Sequence, residues 1–204
     1  MPPAPSSVAE PPVPVLLIPG WSDRARRLSW LRSALIRAGW PATHVATVDF
    51  EDRFGGNAEH AAEIAGELQR LLSVSGSRRA DVVAHSMGGL ALRYFLQGDG
   101  ARHVRRVVFT GTPHAGTWLA YLAWGAGARD MRPGSRFLAQ LGAAPALPAG
   151  IEALCIHTPT EARVLPRRSA LLPGVRCERV WSLSHAGMLR SGRVFAAIRA
   201  FLQE

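Results

Sequence analysis

A serine with small residues on both sides ends an apolar stretch, in VVAHSMGG at 82–89. Ser86 follows the strand-like run ADVVAH and precedes the helix-like run MGGLALRYFLQG. This context is typical of the nucleophile elbow G-x-S-x-G, here with Ala84 first and Gly88 last. Small residues are needed because the turn is strained and the strand and helix pass close together. We predict that Ser86 is a nucleophile; the alternative is a serine that caps an ordinary strand–helix turn.

A serine hydroxyl is a weak nucleophile at neutral pH and needs a general base, often a histidine. His185 lies in SLSHAGML at 182–189, after the last predicted strand and before the last predicted helix. Because the carboxyl ends of parallel strands meet at one edge of a sheet, this position predicts His185 beside Ser86. His114 and His157 lie near the same edge and are the alternatives.

The imidazole in turn needs a carboxylate that orients it and stabilises its charged form. For a nucleophile elbow the chain order is serine, acid, histidine. The acids between Ser86 and His185 are Asp99, Asp130, Glu152, Glu161 and Glu178. We choose Glu161 because it follows the carboxyl end of a predicted strand, and Asp130 is the alternative. A solvated Glu161 paired with Arg163 would leave the imidazole without this partner.

Attack on a carbonyl also needs backbone N–H groups aimed at the oxygen that becomes negative. Met87, directly after the serine, supplies one such donor. The second is predicted from the turn after the first strand, LIPGWSD at 17–23, where Gly20 allows the turn and Trp21 carries the donor. The alternative is a plain Pro-Gly turn.

Apolar, strand-like runs alternate with helical patterns along the rest of the chain. This alternation, with nearly continuous apolar strands, predicts an α/β fold with about six mainly parallel strands flanked by helices. The predicted strands cover 13–20, 44–50, 80–85, 104–111, 151–158 and 175–183, and the predicted helices cover 24–39, 57–74, 86–97 and 191–203.

The segment 113–150 interrupts this alternation, because it contains no strand pattern and is rich in Ala, Gly and Pro. Within it, TWLAYLAWGAGAR predicts an apolar helix and GSRFLAQLG a second short one. Long connections of this kind are often functional, so we expect a small cap or lid. Its residues Trp118 and Trp124 are predicted to bind substrate, and packing in the core is the alternative.

The composition places the chain among globular proteins of one domain. It has 204 residues, 48% of them hydrophobic, and a formal charge of +9. All 24 basic residues are arginines, and they are scattered rather than clustered, which argues against a nucleic-acid partner. No apolar run reaches the ~18 residues that span a bilayer.

The first residues, 1–12, are rich in Pro and predict a flexible lead-in to a domain over 13–204. They lack a basic and apolar leader, which favours the cytoplasm for a complete chain and secretion only if a signal has been removed. The two cysteines, Cys155 and Cys177, fall in predicted strands, where free buried thiols are the usual state.

Four stretches together resemble the small bacterial lipases and esterases of the α/β-hydrolase superfamily: PVLLIPGW, DVVAHSMGGLALRYFL, VRRVVFTGTPHAGT and SLSHAGML. The resemblance runs from about Pro14 to the end of the chain. It implies a Ser86, Glu161 and His185 triad with Trp21 and Met87 as oxyanion donors. His114, in the GTPHAGT stretch, is expected to be structural or to line the substrate pocket.

The sequence departs from this family pattern at three places. The oxyanion loop has Pro19 and Gly20 where His-Gly is usual, the elbow begins with Ala84, and the acid is a glutamate where aspartate is common. The resulting hypothesis is a serine hydrolase of apolar esters, without metal or organic cofactor and with interfacial lipid contact. The alternatives are acyl transfer, thioester or amide hydrolysis, or a binding protein without turnover.

Overall fold

Six parallel strands run through the centre of the structure, in the order β2-β1-β3-β4-β5-β6. The structure is a computed structural model that describes residues 12–182 and 184–204. The predicted lead-in lies outside these residues, apart from Pro12. The strands are β1 Val15–Ile18, β2 Val45–Thr47, β3 Ala80–His85, β4 Val104–Thr110, β5 Glu152–His157 and β6 Arg176–Arg179.

Helices cover both faces of this sheet, as the alternating pattern predicts. They are α1 Ser29–Arg37, α2 Asn57–Ser75, α3 Gly88–Gln97, α4 Ala126–Asp130, α5 Arg136–Gly142 and α6 Gly192–Gln203. In the described part of the chain, no helix is both long and apolar enough to cross a membrane. The predicted α/β class with a six-stranded parallel sheet is therefore confirmed.

Successive side chains of each central strand enter opposite halves of the core. Leu16 and Ile18 of β1 pack in the half covered by α2 and α3. Val15 and Leu17 pack in the half covered by α1 and α6. A strand buried on both faces must be apolar at every position, because its side chains alternate between the faces. This explains the unbroken apolar runs.

The edge strands β2 and β6 are shorter than predicted. Each has one neighbour, β1 for the first and β5 for the second. Single backbone bonds extend the pairing beyond both strands, from Val48 N–H to Leu17 and from Val180 N–H to His157. An edge strand has ladder hydrogen bonds on one side only, and these single bonds lie just beyond the regular ladder of each strand.

The segment 113–150 contains no strand in the structure, as predicted, but its first helix is broken. A 3-10 turn covers Trp118–Tyr121, and α4 begins only at Ala126. Gly125 precedes α4 with a positive φ of 87°, and a Cβ built there would lie 2.6 Å from the Phe54 carbonyl oxygen. The 3-10 turn has already ended at Tyr121, so the predicted continuous apolar helix over 117–129 is wrong.

The two cysteines lie opposite each other on neighbouring strands, Cys155 on β5 and Cys177 on β6. Both thiols are free. Cys155 is buried, but Cys177 is exposed. The expectation of two buried thiols is therefore wrong for Cys177, because β6 is the edge of the sheet and only part of it is covered.

The turn after β1 lies directly against the first turn of α3. A Cβ built on Gly88 would clash with the Pro19 carbonyl oxygen and would lie 2.7 Å from Ile18 Cγ2. A side chain at this position would push the β1 turn away from the helix. Gly88 thereby fixes the distance between the Pro19–Gly20 turn and the turn that carries Ser86.

We expect Gly88→Ala to lower the free energy of unfolding by ~1–3 kcal/mol, since the added methyl group overpacks rigid backbone. Urea unfolding measures the loss. The matched control is Gly66→Ala on the exposed side of α2, where a Cβ meets no atom within 4 Å. That change should raise stability by roughly 1 kcal/mol. Equal effects of the two substitutions would contradict the close approach at Gly88.

Candidate active site

Ser86 occupies the sharp turn between β3 and α3. Its φ is 53°, in the left-handed region that a residue with a Cβ seldom adopts. The Ser86 N–H donates to the Thr110 carbonyl at 2.9 Å, which fixes the turn to the neighbouring strand. On β3 itself, Ala84 pairs with Ile18 on one side and Phe109 on the other. The strained elbow that the sequence suggests is therefore the observed backbone.

The loops after β5 and β6 bring a glutamate and a histidine together. His185 Nδ1 lies 2.8 Å from Glu161 Oε2. Both side chains are buried, with 7% of His185 and 1% of Glu161 exposed. A carboxylate is an acceptor only, so Nδ1 carries the proton and Nε2 is left as the acceptor. An imidazole in this tautomer can receive a proton from a neighbouring hydroxyl.

Backbone donors hold the other oxygen of the same carboxylate. Glu161 Oε1 accepts from the N–H of Arg163 at 2.7 Å and of Val164 at 3.2 Å. Burial by itself raises the pKa of Glu161, but the His185 hydrogen bond and charge and the two backbone N–H groups outweigh it. The net pKa lies below the usual glutamate value, so the carboxylate stays ionised at neutral pH.

Ser86 and His185 line one cavity of about 360 Å³. The Ser86 hydroxyl makes no hydrogen bond to any group in the described residues, so the serine and the imidazole share the cavity without a hydrogen bond between them. In ligand-free enzymes such bonds are often long and tighten when substrate binds. The cavity can therefore admit a reacting carbonyl between the two side chains.

The His185 ring packs against two residues that sequence reasoning left without a role. Gly111, with φ 59°, has no Cβ, and one built there would lie 3.0 Å from the imidazole. The His85 ring lies 4.6 Å from the His185 ring between centroids. Burial and then the charge of His185 lower the pKa of His85 well below its usual value, so His85 adds no competing charge. A glycine at a strand end was the available signal, since it often marks close approach.

Two backbone N–H groups near Ser86, those of Trp21 and Met87, are available as donors. Within residues 12–182 and 184–204, neither donates to a protein group. A Cβ built on Gly20 would lie only 2.9 Å from Ser86 Cβ, so the Trp21 loop passes directly over the serine. Free donors at such a position are what a developing oxyanion requires.

Aromatic contacts support the Trp21 loop. This loop has Pro19 where the lipases that the sequence resembles usually have a histidine. The Trp21 indole N–H donates to the Trp124 carbonyl at 3.3 Å. The Trp21 ring packs edge-on against Phe54 and Trp124, at centroid distances of 5.3 and 5.4 Å. The Ser22 N–H donates to the Arg53 carbonyl at 3.0 Å. The loop is thus supported from the α2 side and from the 113–150 segment.

The remaining candidates have partners other than Ser86, Glu161 and His185. The Asp130 carboxylate accepts from the Asn57 N–H and side-chain amide at 2.8 and 3.1 Å, at the start of α2. His114 and Trp118 line a second cavity, and Trp124 packs on Trp21. The substrate-binding roles of these three residues stay predictions.

Comparison with solved structures identifies the fold. No protein-family model matches the sequence. A lipase from Bacillus licheniformis has a TM-score of 0.78 at 16% identity, over 97% of this chain and 96% of that one. Lipase B from Aspergillus fumigatus has a TM-score of 0.77 at 18% identity, over 95% of this chain and 53% of that one. A Rhodococcus esterase has a TM-score of 0.63 at 17% identity, over 95% and 91%.

These similarities show that the chain has the α/β-hydrolase fold. The match covers nearly the whole chain and includes the six-stranded parallel sheet with helices on both faces. In this fold the carboxyl edge of the sheet carries the reactive side chains. Ser86, Glu161 and His185 lie at that edge here.

We expect the stability advantage of wild type over Glu161→Gln to be constant near neutral pH and to shrink in acid. The folded pKa of Glu161 is lowered, so its contribution is complete above the ordinary glutamate pKa of about 4.3. It is lost as the pH falls through the lower folded value. Urea unfolding between pH 3 and 7 measures the difference. A stability difference that stays constant down to pH 3 would contradict the lowered folded pKa of Glu161.

Proposed function

We propose that this protein is a serine hydrolase of carboxylic esters that works through an acyl-enzyme. The observation that carries the proposal is the buried His185–Glu161 pair facing the same cavity as a serine on a strained elbow. The structural neighbours include lipases and an esterase, which agrees with it. The fold alone would not define the chemistry, since one fold supports many reactions.

In the proposed reaction, Ser86 Oγ attacks the ester carbonyl carbon while His185 Nε2 takes the hydroxyl proton. The carbonyl oxygen becomes negative and lies between the N–H groups of Trp21 and Met87. The tetrahedral intermediate collapses, and His185 gives its proton to the leaving alcohol. Water then repeats the attack with His185 as base, which releases the acid and restores the serine.

Glu161 has an electrostatic role in this scheme. Its carboxylate keeps the proton on Nδ1 of His185 before attack and stabilises the imidazolium that forms afterwards. The pair is largely excluded from water, so the interaction is stronger than it would be at the surface. The Arg163 and Val164 N–H groups keep Glu161 ionised and in place during the cycle.

One part of the cavity wall is apolar and favours an apolar acyl group, whereas Asp23, Arg27 and Arg163 make another part charged. Leu119, Ala120, Ala123, Met131 and Val164 line the cavity beside Ser86 and His185. Outside the cavity, the segment 113–150 exposes a cluster of large apolar side chains. Leu122 is 83% exposed and Trp124 65%, and Trp118 and Tyr121 are exposed as well. Contiguous apolar surface beside a site marks a contact with lipid or another apolar partner. We therefore assign 113–150 as a cap that contacts the substrate phase.

We expect Ser86→Ala to fold normally and to lose hydrolysis of a p-nitrophenyl ester by about 10⁴–10⁶-fold. A fluorophosphonate probe should label wild type and not this variant, because only an activated serine reacts. His185→Ala should lose labelling as well, whereas His157→Ala should keep it. Labelling of Ser86→Ala at the wild-type rate would contradict the assignment of the nucleophile.

For the acid, Glu161→Gln should reduce the rate by roughly 10²–10⁴-fold, because the nucleophile and the oxyanion donors remain. Asp130→Asn is the matched control, since its carboxylate binds Asn57 instead. Its rate should stay within a few-fold of wild type. A crippled Asp130 variant beside an active Glu161 variant would reverse the assignment.

For the cap, Trp118→Ser and Trp124→Ser should weaken hydrolysis of long-chain esters more than that of acetate esters. The reason is that an exposed aromatic side chain gains stabilisation in proportion to the apolar area it buries on contact. The ratio of kcat/KM for decanoate and acetate esters measures the effect. Val74→Ser removes an equally exposed apolar side chain from α2 and should leave the ratio unchanged. Equal losses for both chain lengths, with lower thermal stability, would indicate core packing.

A further inference from the structure

A second cavity, of about 740 Å³, shares a wall with the Ser86 cavity. The shared wall is the segment 113–118. Pro113 and Thr117 line the cavity of Ser86, whereas His114, Ala115 and Trp118 line the second one. Its volume falls within the ~300–1,000 Å³ typical of small-molecule sites. Of its lining residues, only Trp118 also has a part in the proposed hydrolysis, as an exposed residue of the cap.

Most of the second cavity's lining is apolar. The apolar contributors include Trp118, Pro133, Ala144, Ala146, Leu171 and Leu172. A cavity of this composition favours a hydrocarbon chain, because burial of apolar surface supplies the binding free energy without needing directed partners.

A buried charge interrupts the apolar lining. Arg93, on α3, lines the cavity with 5% of its surface exposed. Its Nε and Nη1 donate to the carbonyls of Ala146 and His114 through long bonds of 3.4 Å each. Among the described residues it has no ion pair, and burial lowers the pKa of its guanidinium to about 10. It remains charged at neutral pH.

Two other arginines near the sheet have carboxylate partners. Arg106, which is similarly buried, pairs with Glu152 at 2.7 Å, and the half-buried Arg105 pairs with Asp81 at 2.6 Å. A buried cation without a counter-charge is costly to the folded state, since it has lost water without gaining an anion. The position of Arg93 beside an apolar cavity therefore calls for an anionic ligand.

A second unpaired polar group lies next to Arg93. Burial and then the charge of Arg93 lower the pKa of His114 well below its usual value, so this histidine is neutral. Its Nε2 lies 3.6 Å from the Cys155 thiol, and burial raises the pKa of that thiol to about 12. The protonated thiol can therefore donate to Nε2, which leaves the ring proton on Nδ1. That nitrogen is buried without a partner.

We propose that the second cavity binds the carboxylate of a fatty acid, with the carboxylate on Arg93 and the alkyl chain along the apolar lining. Arg168, on the exposed rim, adds a second positive charge. A guanidinium holds a carboxylate through two parallel hydrogen bonds, which an alcohol of the same length cannot form. The site does not depend on Ser86, so it stands or falls separately from ester hydrolysis.

The experiment measures binding of decanoate and decanol by titration calorimetry below their aggregation concentrations. Ser86→Ala is used beside wild type, so that the result does not depend on turnover. Both proteins should bind decanoate at least about tenfold more tightly than decanol. Arg93→Met should weaken decanoate binding by roughly 10- to 100-fold and leave decanol binding unchanged. Arg106→Met is the control for loss of a buried arginine and should keep decanoate binding.

Arg168→Gln is a second variant that does not disturb the core, because the side chain is exposed. It should weaken decanoate binding about two- to fivefold, as expected for a partly solvated charge. Equal binding of decanoate and decanol to the Ser86→Ala protein would overturn the proposal, even if Arg93→Met fails to fold. Unchanged decanoate binding in folded Arg93→Met would overturn it as well. If wild type binds decanoate but does not hydrolyse esters, only the proposed catalytic function is refuted.

Discussion

The left-handed backbone at Ser86 is the constraint on which the rest of this site depends. A residue with a Cβ adopts φ 53° only when its surroundings hold it there. The hydrogen bond from Ser86 N–H to Thr110 fixes the turn to β4, and Gly88 lets the Pro19 turn approach from β1. The elbow is therefore held from both neighbouring strands. This explains why the central position of β3 in the sheet matters, since only a strand with partners on both sides offers these two supports.

The charged pair of the site lies at the same edge of the sheet as Ser86. Glu161 and His185 come from loops after neighbouring strands, and both are buried where a lone charge would be unfavourable. The carboxylate is compensated by the imidazole and two backbone N–H groups, so every strong acceptor in the pair has donors. Gly111 and His85 then hold the ring itself. The imidazole is thus confined by contact on one side and by a charge-assisted hydrogen bond on the other.

Helix α3 connects the two cavities of the molecule. It begins beside Ser86, and Arg93 lies about two helical turns further on. At its first end the helix carries a strained backbone, and along its side it carries a cation without a counter-charge. Both features cost stability, and both face cavities. Arg105 and Arg106, which face the sheet and α6 instead, have carboxylate partners. Of these three arginines, the one without a carboxylate partner is therefore the one that lines a cavity with space for a ligand.

The sequence by itself determined the sheet and the elbow, because these depend on local patterns: alternation along strands and small residues around a turn. Local patterns could not decide between Glu161 and Asp130 as the partner of His185. Only the tertiary structure brings Glu161 to 2.8 Å from the imidazole and attaches Asp130 to Asn57. The break before α4 and the cavity around Arg93 were equally invisible, since each arises from segments far apart in the chain. Contacts over such separations are set by how the helices and loops pack on the sheet, which no single stretch of residues encodes.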